Sequence, residues 1–134
     1  MEDLIKMTPN PERAKSLLAQ VEIRLKDANQ KDPSEFSTLI IEAHYEIIKE
    51  LLTALLSADG YKTLSHTTLI EYLRTSYTKR FTEHEIQTID QLRKVRNRIA
   101  YEGFSINKDY HDRKAPIALA LIAKLKTLVK SKVS

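Results

Sequence analysis

Apolar residues recur by threes and fours through most of this chain, and the polar residues that interrupt them are those that start and stop helices. Ala14, Leu17, Leu18, Val21, Leu25 and Ala28 form one such stripe. It lies behind Asn10 as N-cap and Pro11 at the first helical position. A second segment opens on Asp32-Pro33-Ser34-Glu35, an N-cap, a proline and a glutamate arranged much like a capping box. It carries Phe36, Leu39, Ile40, Ala43, Ile47, Ile48, Leu51, Leu52, Leu55 and Leu56 up to Asp59-Gly60. Apolar residues cover most of its circumference, which makes it the central helix or one that also faces a second subunit. Ser65 caps a short third segment with Leu69, Ile70, Tyr72 and Leu73. Thr82-Glu83-His84-Glu85 is another capping box and opens a fourth, which ends near Tyr101-Glu102-Gly103. The last segment, about residues 107 to 130, is helical except at Pro116, which is expected to kink or divide it. The only two glycines, Gly60 and Gly103, each fall where a periodic segment stops. No stretch alternates apolar and polar residues convincingly, so no sheet is expected. The pattern predicts an all-α, up-and-down bundle of four to five helices, one domain over residues 1–134 with its core at about 10–130.

Composition narrows the class. With 42% hydrophobic and 30% charged residues in 134, the chain has an ordinary globular balance. No apolar run approaches the roughly 20 residues that span a bilayer, so no membrane association is expected. The acidic start Met-Glu-Asp-Leu-Ile-Lys lacks the basic and apolar regions of a signal peptide. The absence of cysteine excludes disulfides, thiolate metal sites and thiol nucleophiles, and suits a cytoplasmic setting. Net charge is +4, with the excess toward the C-terminal half: seven basic residues against three acidic ones between Arg93 and Lys114, then four lysines and no acid from Lys124 onward. Such a surface attracts polyanions such as RNA, although lysines at a helix C-terminus also simply complement its dipole.

The chemistry concentrates in the fourth segment. On a helical wheel Ile89, Leu92, Arg96, Ile99 and Ala100 share one arc, with Arg96 near its middle, and Leu92 and Ile99 are expected in the core. A guanidinium facing a core needs a carboxylate, a phosphate or a partner's carbonyls to receive it. Asp90, Arg93, Asn97 and Tyr101 line the adjacent strip, one turn apart, so their polar tips converge. Two readings follow: an arginine tying this helix to an acidic neighbour, or a binding site. Among the histidines, His84 reads as a solvated first-turn residue, His44 as a core or interface residue and His66 as part of a helix start. His111 lies where a reversal at Gly103 can return it to the rim of Tyr101. None has metal-ligand spacing, two glycines cannot build a phosphate loop, and neither a metal nor a cofactor is expected. Tyr45, Tyr61, Tyr72 and Tyr77 are spread over different helices and are expected to pack with their hydroxyls at the surface.

Tyr45-Glu46-Ile47-Ile48-Lys49-Glu50-Leu51-Leu52, Asp59-Gly60-Tyr61-Lys62, Ser65-His66 and Arg96-Asn97-Arg98-Ile99-Ala100-Tyr101 resemble, in this order, the HEPN superfamily (higher eukaryote and prokaryote nucleotide-binding domains). The resemblance covers roughly residues 10 to 130. It implies a small helical bundle, commonly a homodimer, that is either a metal-independent ribonuclease or the non-enzymatic partner of a minimal nucleotidyltransferase, often in a toxin–antitoxin pair. Catalytic members carry Arg-x4–6-His near a helix end with a polar residue after the arginine. Here Arg96 matches the arginine and Asn97 the polar residue, while Tyr101 stands in the histidine's place. Gly103 stands where one branch has a further tyrosine. A phenol with a reference pKa near 10 is a poor base at pH 7, where an imidazole near 6.5 serves well. The expectation is therefore a HEPN-like module that binds RNA or a protein partner through Arg93, Arg96, Asn97, Tyr101 and His111, with Arg96, Asn97 and Tyr101 as the candidates for any catalysis. The alternative is a metal-independent endoribonuclease in which Tyr101 with His111 or His66 replaces the missing histidine.

Overall fold

The capping residues act where their chemistry places them. In the computed structural model, which describes residues 1 and 3–134, Asn10 accepts from the backbone N–H of Arg13 and opens α1 (Pro11–Asn29). Asp32 accepts from Ser34 N–H and opens α2 (Pro33–Asp59). Ser65 caps α3 (His66–Ser76), a reciprocal capping box between Thr82 and Glu85 opens α4 (Glu83–Glu102), and Asn107 caps α5 (Lys108–Val133). Gly60 (φ 92°) and Gly103 (φ 68°) end α2 and α4 in the left-handed conformation that a residue with a Cβ adopts only at a cost. These are the helices the sequence pattern predicts, and the fold is all-α.

The cross-links show how the helices run. Asn10 and Arg13, at the start of α1, bond to Ser57 near the end of α2, so the two helices are antiparallel. Thr38, early in α2, holds Ile106 just before α5, and Lys132 at the end of α5 reaches Asp59 at the end of α2. Those two helices are therefore parallel. Lys124 of α5 meets Glu85 in the first turn of α4, which makes α4 antiparallel to α5. The four long helices alternate in direction, with short α3 inserted before α4.

Helix α2 is the axis of the core. Ile47, Ile48, Leu51, Leu52, Leu55 and Leu56 are 0–1% exposed. Full burial of each such side chain is worth about 1.5–3 kcal/mol. α1, α3, α4 and α5 all pack on α2. The apolar circumference that suggested a second subunit is thus covered within one chain, except at Leu39 near the helix start, which is exposed.

Four details depart from expectation. A strand pair does form: β1 (Ile5–Lys6) runs antiparallel to β2 (Tyr61–Lys62). Two residues per strand are too few to show alternation in the sequence. Helix α5 continues through Pro116, whose exposed position leaves the unpaired carbonyl one turn earlier open to water. The interrupted backbone is instead in α2, at Phe36 (φ −114°, ψ 23°). Leu92 is buried, but Ile99 is only half-buried because α4 projects beyond the core at its C-terminal end. Finally, the hydroxyls of Tyr72 and Tyr77 do not reach the surface but turn inward onto Asp59. No helix among the described residues is long and apolar enough to cross a membrane.

Candidate polyanion-binding face on α4 and α2

Arg96 is held where the wheel places it, over the edge of the core with its side chain 21% exposed. Its Nε donates to Glu46 Oε1 at 2.9 Å, and Nη1 reaches Asn97 Oδ1 at 3.4 Å. The other oxygen of Glu46 meets Lys49 Nζ at 2.8 Å. Spacing of three on α2 puts Glu46 and Lys49 on one face, and that face lies against α4. Burial raises the Glu46 carboxyl, but Lys49 and Arg96 outweigh it and hold the group below the usual carboxylate range. Burial likewise works against the charge on Arg96, and Glu46 and the Tyr101 hydroxyl more than offset it, so Arg96 titrates above its ordinary value.

One turn back on α4, Arg93 Nε donates to Asp90 Oδ1 at 2.8 Å, and Lys94 Nζ lies 3.4 Å from the other Asp90 oxygen. Desolvation raises Asp90, and Arg93 and Lys94 together lower it further than that. The face thus carries Lys49, Arg93, Lys94 and Arg96 against Glu46 and Asp90, a formal excess of two positive charges. A guanidinium has five N–H donors, and Arg96 uses only some of them within the cluster. Tyr101, at the end of the strip, is 78% exposed.

His66 belongs to this face, and His111 does not. His66 Nδ1 shares a hydrogen bond with the Tyr45 hydroxyl at 3.1 Å, and Tyr45 is itself buried on α2. Burial lowers the His66 pKa, and the nearby Lys49, Arg96 and Arg93 lower it further, with Glu46 opposing them. The imidazole is therefore neutral at pH 7. Burial also raises the Tyr45 phenol, so it stays protonated. His111 pairs with Asp112 on α5 at 3.0 Å and shares a shallow hollow with His44, Lys31 and Pro33. There His44 is buried, its Nδ1 finds no partner among the described residues, and burial together with His111 lowers its pKa to about 4. The reversal at Gly103 carries His111 to the start of α2, not to Tyr101. His84 is exposed.

Of the residues singled out in the sequence, the structure gathers Arg93, Arg96, Asn97 and Tyr101 on one face and leaves His111 elsewhere. Glu46, Lys49 and Tyr45 were not singled out as site residues, since only the fold brings α2 to α4. Their i, i+1 and i+4 spacing on an otherwise apolar helix was the available signal. Among the described residues, no group of three or more His, Asp or Glu side chains is placed to hold a metal ion. Compared with protein-family models, curated proteins and solved structures, the chain matches none of them, so the reading of this face rests on its own geometry.

Proposed function

We propose that this chain is a HEPN-like module that binds single-stranded RNA through the face built by α4 and α2, without cleaving it. The observation that supports this is the cluster around Arg96: four cations against two carboxylates, a guanidinium with donors to spare, and an exposed tyrosine beside it. In this reading Arg93, Lys49 and Arg96 take phosphate oxygens, Asn97 steadies Arg96, and Tyr101 stacks on a base. The HEPN resemblance adds a homodimer in which two such faces line one cleft, and light scattering at tens of micromolar protein checks the mass. The direct experiment is fluorescence anisotropy with a labelled single-stranded RNA. With three to four phosphates neutralised, log affinity should fall with log salt at a slope of about −2 to −3. Tyr101→Ala should weaken binding about tenfold through lost stacking. Absent or salt-independent binding would defeat the proposal and favour the other partner the resemblance implies, a nucleotidyltransferase.

One observation supports a second reading as a metal-independent ribonuclease. His66 is neutral at pH 7, oriented by Tyr45, and close enough to Arg96 and Arg93 to feel their charge. A neutral imidazole beside a phosphate-binding arginine is what deprotonation of a ribose 2′-hydroxyl requires. Incubating RNA with EDTA and comparing wild type, His66→Gln, Arg96→Ala and Tyr101→His distinguishes the readings. Cleavage by the wild type that both His66→Gln and Arg96→Ala abolish establishes the enzyme. Cleavage only in Tyr101→His shows a binding face that lacks its base.

A further inference from the structure

A second site lies at the end of α2 opposite the Thr38 link. Where the β1–β2 ribbon folds over the last turns of α2, it encloses a cavity of about 210 Å³. Its floor is apolar, with Leu56 and Leu69 as buried core residues, and Ile5 and Leu64 stand at its open rim. Leu64 has no cover at all, at 102% of its reference exposure, and Ile5 is 52% exposed. Two cations line the same cavity, Arg13 from α1 and Lys62 from β2. Arg13 is anchored by a hydrogen bond from Nη1 to the Oγ of fully buried Ser57 at 3.1 Å, which aims its head inward along α2. Among the described residues, no carboxylate pairs with Arg13 or Lys62.

A largely apolar cavity rimmed by two cations selects a molecule with an apolar body and a negative charge. We infer that this cavity binds a small amphiphilic monocarboxylate, its carboxylate on Arg13 and Lys62 and its hydrocarbon body against Leu56, Leu69 and Leu64. An apolar cavity of about 150 Å³ holds a benzene ring, so this one suits a body of roughly six to nine carbons. Arg13 offers the planar fork that receives a carboxylate through two parallel hydrogen bonds, with Lys62 adding a point charge. Thr53, whose hydroxyl donates to the Lys49 carbonyl, and Thr63, whose hydroxyl oxygen accepts from Ser65 N–H and keeps its own proton free, also line the cavity. The hydrocarbon would also cover Leu64 and remove its apolar surface from water. The site is separate from the Arg96 face and stands whether or not that face binds RNA.

The test is a titration of the full chain with octanoate, followed by two-dimensional ¹⁵N–¹H NMR. Acetate supplies the charge without the body, 1-octanol the body without the charge, and inorganic phosphate an anion with neither an apolar body nor a carboxylate. Octanoate should shift the amides of Thr53, Leu64 and Leu69, with at least tenfold higher affinity than acetate, phosphate or octanol. Arg13→Gln should lower octanoate affinity about tenfold, and Thr53→Met, which fills the cavity from α2, should abolish it. Lys62→Gln, on the exposed strand, is the second charge variant if Arg13→Gln perturbs the N-terminus of α1. The inference is overturned if octanol binds as tightly as octanoate or if the charge variants leave affinity unchanged. It is also overturned if the shifts map elsewhere, or if only a peptide with an apolar C-terminal residue binds.

Discussion

Two polar networks are set into this bundle, and they differ in whether their hydrogen-bonding capacity is filled. At the C-terminal end of α2, Asp59 receives the Tyr72 hydroxyl at 2.7 Å and the Tyr77 hydroxyl at 2.5 Å on one oxygen, and Lys132 at 3.1 Å on the other. Burial raises both phenols and the Asp59 charge raises them further, so they remain donors at any physiological pH. One carboxylate, one cation and two hydroxyls join α2, α3, the turn after it and α5, and no charge is left over. The Arg96 network midway along the same helix joins α2 and α4, with His66 of α3 at its edge, and cations outnumber carboxylates in it. A closed network of this kind locks helices together. An open one keeps donors and charge unspent, as the proposed binding of RNA at this face requires.

Asp59→Ala separates the two most sharply. It leaves two inward-facing tyrosine hydroxyls and a lysine without their acceptor, and should cost about 3 kcal/mol in urea unfolding. RNA affinity should be unchanged. Arg96→Gln should do the reverse: a loss of only about 1 kcal/mol, because Lys49 still neutralises Glu46, with RNA binding weakened about tenfold. Equal losses of stability in the two variants would erase the distinction.

A smaller effect sharpens the comparison through pH. The His66 pKa is lowered in the folded state, so below its ordinary value near 6.5 the unfolded chain takes up the proton first. Stability contributed by His66 is therefore complete above that pH and declines as pH falls through it. RNA affinity should move the other way and rise as pH falls below that value, since protonated His66 adds a cation to the open network. His66→Gln should flatten both trends, as seen by thermal melts and anisotropy. The smallest effect belongs to neither network. Lys124 pairs with Glu85 at 2.9 Å and sits over the Phe81 ring at 4.6 Å, at the surface, and Lys124→Ala should cost about 0.5 kcal/mol in the same urea assay.

The helices were legible because their signals are local. Asn10, Asp32, Ser65, Thr82 and Asn107 each satisfy N–H groups within three residues of themselves, and Gly60 and Gly103 act through their own φ. What the sequence concealed depends on partners far along the chain. Arg96 announced a need for an acceptor but not that Glu46, fifty positions earlier, supplies it. His111 looked able to approach Tyr101 and His66 read as part of a helix start, whereas the packing of α3 and α5 against α2 brings His66 to the Arg96 face and takes His111 away from it. The tyrosines gave no sign that a single aspartate at the end of α2 would draw two of them inward. Pro116 misled for a different reason: on an exposed face a missing N–H removes one bond that water replaces, and the fixed φ of proline is already helical.

Gly60 bears on the order in which the chain assembles. A Cβ there would stand 2.8 Å from the Met7 carbonyl oxygen, so the N-terminal segment passes directly over the end of α2. Its anchors, Met7 N–H to the Gly60 carbonyl and Asn10 N–H to the Ser57 carbonyl, join residues about fifty positions apart. Closing a loop that long brings its entropic cost before any contact rewards it. The strap therefore docks after α1 and α2 have paired and is the first piece to peel away on unfolding. The Met7 and Asn10 amides should exchange with solvent ahead of those in α2, although both are bonded in the native fold.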